Sequence, residues 1–198
     1  QIYESNSITL KSACESKNYQ INELATVEDN YKKTYAKIND LLNQNDVILI
    51  SGGISVGDYD FVAKALFENG VKEEFYKVKQ KPGKPLFFGT KKGKYIFALP
   101  GNPAAALTCF YIYVLPLLNK IANQPEVELP LLKLPLTQNY TQKIKRDEFL
   151  KATISNNEVT ILDKQQSSML WSFAQANAIV FASKSYKKGD KILTYKLH

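Results

Sequence analysis

The stretch Asp46-Val47-Ile48-Leu49-Ile50-Ser51-Gly52-Gly53-Ile54-Ser55-Val56-Gly57-Asp58-Tyr59-Asp60 decides the fold. Four consecutive apolar residues, Val47 to Ile50, read as a short strand covered on both faces. The glycines after it permit a tight turn and let a ligand approach the backbone. Residues 59–69 read as a helix, with Gly70 as its C′ residue. A strand that opens through glycines into a helix offers unpaired N–H groups and the positive end of the helix dipole to an anion. The pattern recurs downstream, where the strand Tyr95-Ile96-Phe97-Ala98 leads into Leu99-Pro100-Gly101-Asn102-Pro103 and a helix from Ala104. Asn102 is the expected cap of that helix and Pro103 its first residue.

Working outward, residues 5–17 predict a helix and residues 18–24 a short strand. Tyr31, Tyr35, Ile38, Leu41 and Leu42 recur at helical spacing and predict an amphipathic helix over residues 29–43. Residues 74–78, 86–88 and 95–99 predict strands, the last two joined by a hairpin turn at Lys91-Lys92-Gly93-Lys94. Alternating elements of this kind predict an α/β fold, here a three-layer α/β/α domain with a mostly parallel sheet over residues 1–124. Such sheets bind ligands at the carboxyl ends of their strands, where both glycine loops fall. Beyond Ile121-Ala122-Asn123-Gln124-Pro125 the texture changes to short apolar runs at residues 131–136, 149–154, 159–162, 179–182 and 192–197. They predict a small all-β, barrel-like domain over residues 125–198, interrupted by one short helix at 168–175. A core of about 70 residues is marginal by itself, so this domain is expected to lean on the first.

The 198 residues are 44% hydrophobic, ordinary for a folded protein, and carry a net charge of +7. That balance suits an anionic small molecule. Nucleic acid is disfavoured, because Arg146 is the only arginine and base readers lean on arginine. Cys14 and Cys109 are far apart, as two buried thiols of a reducing compartment would be, and the sole histidine is His198. A Cys/His zinc site and a Ser-His-Asp triad are therefore excluded. The apolar run 104–118 contains Pro116 and falls short of the roughly 20 residues of a membrane span. It predicts a buried helix and no membrane contact. No signal-peptide pattern opens the chain, which makes the cytoplasm the expected compartment. The opening Gln1-Ile2-Tyr3 lacks an initiator Met and leads to the expectation of a piece of something longer.

Several polar residues admit two readings. Gly52, Gly53, Ser55 and Gly57 form either a phosphate cradle or a plain turn. Asp58 is either a helix cap or a ligand contact. Asp60 is either a first-turn carboxylate favoured by the dipole or a magnesium ligand beside the phosphate loop. Asp29 sits where a cap of the 29–43 helix belongs. Lys77, Lys79 and Lys81 would share one strand face, either as a solvated edge or as an anion-binding surface with the shaped loop Pro82-Gly83-Lys84-Pro85. Arg146-Asp147-Glu148 reads as a surface turn and Gln166-Ser167-Ser168 as a helix cap.

In order and spacing, Ser-Gly-Gly-Ile-Ser-Val-Gly-Asp-Tyr-Asp (51–60), Lys-Pro-Gly-Lys-Pro (81–85) and Leu-Pro-Gly-Asn-Pro (99–103) resemble the MoeA/gephyrin E-domain family. Tyr3-Glu4-Ser5-Asn6 is similar to that family's Tyr-Asp-Ser-Asn opening, with Glu4 for Asp. The resemblance implies a molybdopterin molybdenumtransferase, which cleaves adenylylated molybdopterin with Mg2+ and inserts molybdenum from molybdate into the dithiolene. It implies catalytic roles for Asp29, Asp60, Lys77 and Lys81, with Asp60 on the metal. Substrate contacts fall to Gly52, Gly53, Ser55, Gly57, Asp58, Pro82, Gly83, Lys84, Pro100, Gly101, Asn102 and Pro103. Arg146 and Ser167 would contact molybdate, although Ser168 stands where the family has Gly and Trp171 where it has a small residue. The resemblance further implies two upstream domains, a homodimer with an active site completed by the other subunit, and inactivity of these 198 residues alone. A molybdopterin adenylyltransferase and molybdoenzymes are the implied protein partners.

Two rivals remain. A molybdopterin adenylyltransferase shares the first fold, but its loop reads Gly-Gly-Thr-Gly and it lacks a domain like residues 127–198. A gephyrin-like scaffold would use the C-terminal domain to hold a peptide, and would leave Asp29, Asp60, Lys77 and Lys81 without a task.

Overall fold

The computed structural model describes residues 5–54 and 61–197. The chain divides into two compact units, residues 1–78 with 83–107, and residues 79–82 with 108–198.

The first unit is an α/β assembly. Its elements are α1 (Asn6–Glu15), α2 (Tyr31–Gln44), β1 (Val47–Ser51), α3 (Phe61–Glu68), β2 (Lys72–Tyr76), β4 (Phe87–Lys91), β5 (Lys94–Leu99) and the start of α4 (Pro103–Cys109). The sheet order is β1-β5-β4-β2. It is mixed: β1 and β5 run parallel, while β5–β4 and β4–β2 are antiparallel. The tight turn at Lys92 and Gly93, with φ of 46° and 82°, explains the antiparallel β4–β5 pair, since both central residues of such a turn need positive φ. Ile38 and Leu42 of α2 and Val62, Ala65 and Leu66 of α3 bury against Ile48, Phe87, Ile96 and Ala98, one face of the sheet. Phe97 and Leu99, which point the other way, are also buried.

Several expectations need correction. Residues 18–24 form no strand. Asn18 turns left-handed (φ 62°) after α1, and of residues 19–24 only Tyr19 and Ile21 are even half-buried. The cap of α2 is Asn30, whose side chain accepts from the Lys33 N–H at 3.1 Å, and not Asp29. Strand β2 stops at Tyr76 because Lys77 has φ 64°. Asp58 and its expected cap lie outside the described residues. Gly70, at φ 77°, does end α3 as expected.

The helical run Pro103–Ile121 has 19 residues and is long and apolar enough to cross a membrane, but half of it is buried within the protein. Its middle, Phe110–Val114, is π-helical, with the Leu115 N–H bonded to the Phe110 carbonyl. Pro116 lacks an N–H and its ring crowds the turn before it, and the wider turn accommodates both. The last segment is α5 (Leu115–Ile121).

The second unit is built from the strands β3 (Gln80–Lys81), β6 (Leu131–Pro135), β7 (Asp147–Ser155), β8 (Glu158–Ile161), β9 (Ala178–Ala182) and β10 (Lys191–Lys196). They form a sheet of order β3-β7-β9-β10-β6, with β8 also paired to β7. A bridge between Leu136 and Val159 brings the end of β6 to β8, which makes the sheet barrel-like without a continuous closing ladder. Leu136, Leu150, Val159, Val180 and Ile192 fill its core. The expected helix at 168–175 is reduced to α6 (Trp171–Ala174), whose cap position is Leu170 with no side-chain bond.

Candidate functional site

In the first unit the parallel pairing of β1 with β5 sets Ser51 opposite Leu99. Both glycine loops therefore leave the sheet at the same edge. A Cβ built on Gly101 would lie 3.7 Å from the Gly52 Cα, and the Gly52 N–H reaches the Leu99 carbonyl at 3.4 Å. Gly52 and Gly53 both have positive φ, 83° and 66°, which explains two glycines in succession.

Asn6 ties the loops together. Its Nδ2 donates to Ser51 Oγ at 2.6 Å and to the Gly101 carbonyl at 2.7 Å. Sequence reading took Asn6 for one residue of a terminal helix, and only its place in the Tyr-x-Ser-Asn string gave it a signal. Pro100 is buried, Gly101 and Asn102 are exposed, and the Asn102 carbonyl accepts from the Ala106 N–H as a cap residue does. Ser55, Gly57, Asp58 and Asp60 lie outside the described residues. Asp29 lies exposed just before α2.

The lysine segment does not form one strand face. Lys77 turns left-handed after β2 and its Nζ sits 4.7 Å from the Tyr76 ring centroid. Lys81 belongs to β3, in the other sheet. The reason is local: positive φ at Lys77 breaks the period of two that would align residues 77, 79 and 81. The Lys81–Pro82 bond is cis, and Gly83 has φ 88°. The Lys84 carbonyl accepts from the Val78 and Leu86 N–H groups, which shapes the 78–86 loop.

In the second unit β3 pairs in parallel with β7, which sets Lys81 opposite Glu148 and Gln80 opposite Asp147. Arg146 immediately precedes β7, so the structure brings Lys81 to the strand end that carries Arg146. Glu148 is no surface-turn residue. It is 4% exposed, 3.2 Å from Lys81 Nζ, and accepts from the Tyr140 hydroxyl. Burial, then this bond and the carboxylate charge, hold the Tyr140 hydroxyl well above its ordinary range. Ser167 lies in the segment before α6. Two of that segment's neighbouring carbonyls, those of Gln166 and Met169, accept from the buried Lys151 ammonium. Glu148 reads in the sequence as part of a surface turn and Lys151 as an ordinary charged residue after Phe149 and Leu150, so neither carries a local signal of burial.

Among the described residues no three His, Cys, Asp or Glu side chains converge as a metal site.

An α/β unit whose two glycine loops leave neighbouring strands at one sheet edge, followed by a barrel-like β unit, has the layout of folds that use the carboxyl ends of their strands for ligands. The family model described as a probable molybdopterin binding domain matches residues 1–120, and that of the MoeA C-terminal region (domain IV) matches residues 133–197. The chain belongs to the molybdopterin-binding-domain family. It is similar to the molybdopterin molybdenumtransferase of Haemophilus influenzae, at 32% identity over 91% of this chain and 46% of the relative. A protein of the same name from Staphylococcus epidermidis is 28% identical over 98% of this chain and 49% of the relative. Among solved structures, a molybdopterin biosynthesis MoeA protein from Pyrococcus horikosii superposes with a TM-score of 0.82 at 25% identity, over 100% of this chain and 49% of that one. The chain spans about half the length of these relatives.

Proposed function

We propose that the protein is a molybdopterin molybdenumtransferase of molybdenum cofactor biosynthesis. It binds adenylylated molybdopterin, cleaves the adenylate and inserts molybdenum from molybdate into the dithiolene. The observation that carries this is the contact of the Gly52 and Gly101 loops at one sheet edge, tied by Asn6. Two exposed glycine turns beside the start of a 19-residue helical run suit a phosphate and the ring system attached to it.

In this reading Gly52, Gly53, Ser55, Gly57, Asp58 and residues 100–103 hold the substrate, with Pro82, Gly83 and Lys84. Lys77 and Lys81 offset its negative charge. Arg146 and Ser167 contact molybdate, and Asp29 and Asp60 serve the cleavage. A magnesium ion held in part by Asp60 would neutralise the phosphoanhydride, a task that this cation performs largely with substrate oxygens and water. The partition at residues 124/125, a cytoplasmic location, a homodimer and the adenylyltransferase and molybdoenzyme partners belong to the same proposal.

The test is release of AMP from adenylylated molybdopterin by the full-length protein, with and without molybdate. Release that depends on molybdate is expected. ATP-dependent adenylylation of molybdopterin, with no release, would assign the protein to the adenylyltransferase rival.

A further inference from the structure

Lys151 is the one lysine among the described residues with a buried side chain, at 5% exposure. An ammonium has three donors, and all three are used here. They reach the carbonyls of Lys164 at 3.2 Å, Gln166 at 3.3 Å and Met169 at 3.3 Å. These acceptors bracket Ser167 on both sides. The backbone of Lys151 holds the same segment: its N–H donates to Gln165 Oε1 at 3.0 Å, and its carbonyl accepts from Gln165 Nε2 at 2.8 Å. Ser172 Oγ adds bonds to the Lys164 and Met169 carbonyls at 3.0 and 3.2 Å. The Phe173 ring lies 5.9 Å from the ammonium.

Among the described residues no carboxylate lies within ion-pairing distance of Lys151. Burial alone pushes its pKa down. For stability by itself, an apolar residue of similar volume would serve as well as a buried ion. A cation neutralised only by carbonyl dipoles instead keeps a net positive charge under the segment. It also fixes that segment at three points. Both effects favour an oxyanion on the segment's outer side.

We propose that Lys151 is a positioning residue for molybdate capture: it clamps the Lys164–Met169 segment, sets Ser167, and places a fixed positive charge beneath it. This rests on the reading of Ser167 as a molybdate contact. A lysine that merely filled the core would leave the dependence on molybdate unchanged.

The test uses the full-length protein and the variants Lys151→Met, Lys151→Arg and Ser167→Ala. The KM for molybdate and kcat for AMP release are measured, together with amide hydrogen exchange across residues 164–169. Lys151→Met should raise the molybdate KM about tenfold or more, change kcat less than about threefold, and lose exchange protection in the segment. Lys151→Arg should recover much of both. A folded Lys151→Met protein with wild-type molybdate KM overturns the proposal. Should that variant not fold, Ser172→Ala loosens the same two carbonyls without touching the charge, and an unchanged KM there overturns the clamp, whereas a raised KM supports it. An unchanged KM in Ser167→Ala removes the underlying reading, whereas a Ser167→Ala defect beside a silent Lys151→Met removes this proposal alone.

Discussion

Gly52 and Gly53 are neighbours with the same left-handed backbone, yet alanine should be tolerated very differently at the two. At Gly52, φ is 83° and an added Cβ meets nothing among the described residues within 4 Å. The cost there is the left-handed conformation alone, about 1–2 kcal/mol, less about 0.4–1 kcal/mol returned by a stiffer unfolded chain. At Gly53, φ is 66° and the Cβ would lie 2.7 Å from Val62 Cγ2. Val62 is buried on α3 and, being β-branched in a helix, has essentially one rotamer open to it. Overpacking of that kind adds about 1–3 kcal/mol. Gly53→Ala should therefore be less stable than Gly52→Ala by about 1–3 kcal/mol, or ~2–12 °C in Tm for a chain of this size. Urea denaturation followed by far-UV circular dichroism measures the gap. The double variant Gly53→Ala/Val62→Ala isolates its cause, because removing Cγ2 removes the clash and should leave a coupling of about 1–3 kcal/mol. Equal destabilisation of the two glycine variants, or strict additivity with Val62→Ala, would show that the turn is not packed on α3.

Gly101→Ala should change stability by less than about 0.5 kcal/mol, since its added Cβ makes only ordinary contact with Gly52, yet raise the substrate KM by filling the gap between the loops; an unchanged KM would remove the ligand from that gap. Lys81→Ala should lower both AMP release and stability, the latter by about 1–3 kcal/mol, because it strips a partner from the buried Glu148, whereas Lys77→Ala should cost ~0.5–1 kcal/mol or less. Equal stability of the two would show that Glu148 does not need its lysine. Burial pushes the Cys14 thiol up to about 11 and that of Cys109 up to about 12, so neither should react with a thiol reagent at neutral pH until the protein unfolds. Because the folded state holds these protons more tightly than the unfolded one, their contribution is whole below about pH 9 and is lost as pH rises toward 11–12; a Tm that holds steady across that range would contradict the burial. Asp60→Ala in the full-length protein should abolish AMP release, and unchanged turnover at saturating magnesium would relegate Asp60 to a structural role.

What the sequence disclosed was chemistry written in adjacent residues. Apolar Val47 to Ile50 and the glycines behind them specify a strand and a turn with no help from elsewhere, and the same holds for Lys92-Gly93, whose positive φ makes the β4–β5 hairpin. Once two such strand ends exist, parallel pairing of β1 with β5 places their loops together. Asn30 against Asp29 shows the limit of that legibility, because both are good caps and only the chain's entry angle selects one.

The surroundings of Glu148 and Lys151 were hidden because they arrive from far along the chain. Glu148 reads as part of a surface turn until β3, more than 60 positions earlier, delivers Lys81 to it. Lys151 follows Phe149 and Leu150 in a pattern that suits a solvated edge, and only the return of residues 164–169 buries it. In neither case does hydrophobic period carry the information, since a charge beneath a loop and a charge in water have the same sequence. The signal instead lies in the polar groups of the returning segment. Gln165 and Ser172 are spaced to satisfy the backbone around Lys151, and neither bond has a purpose if that segment were free in solvent. A buried cation needs acceptors, and the carbonyls that supply them must be held by further side chains, so such a site is built from residues that look ordinary one at a time.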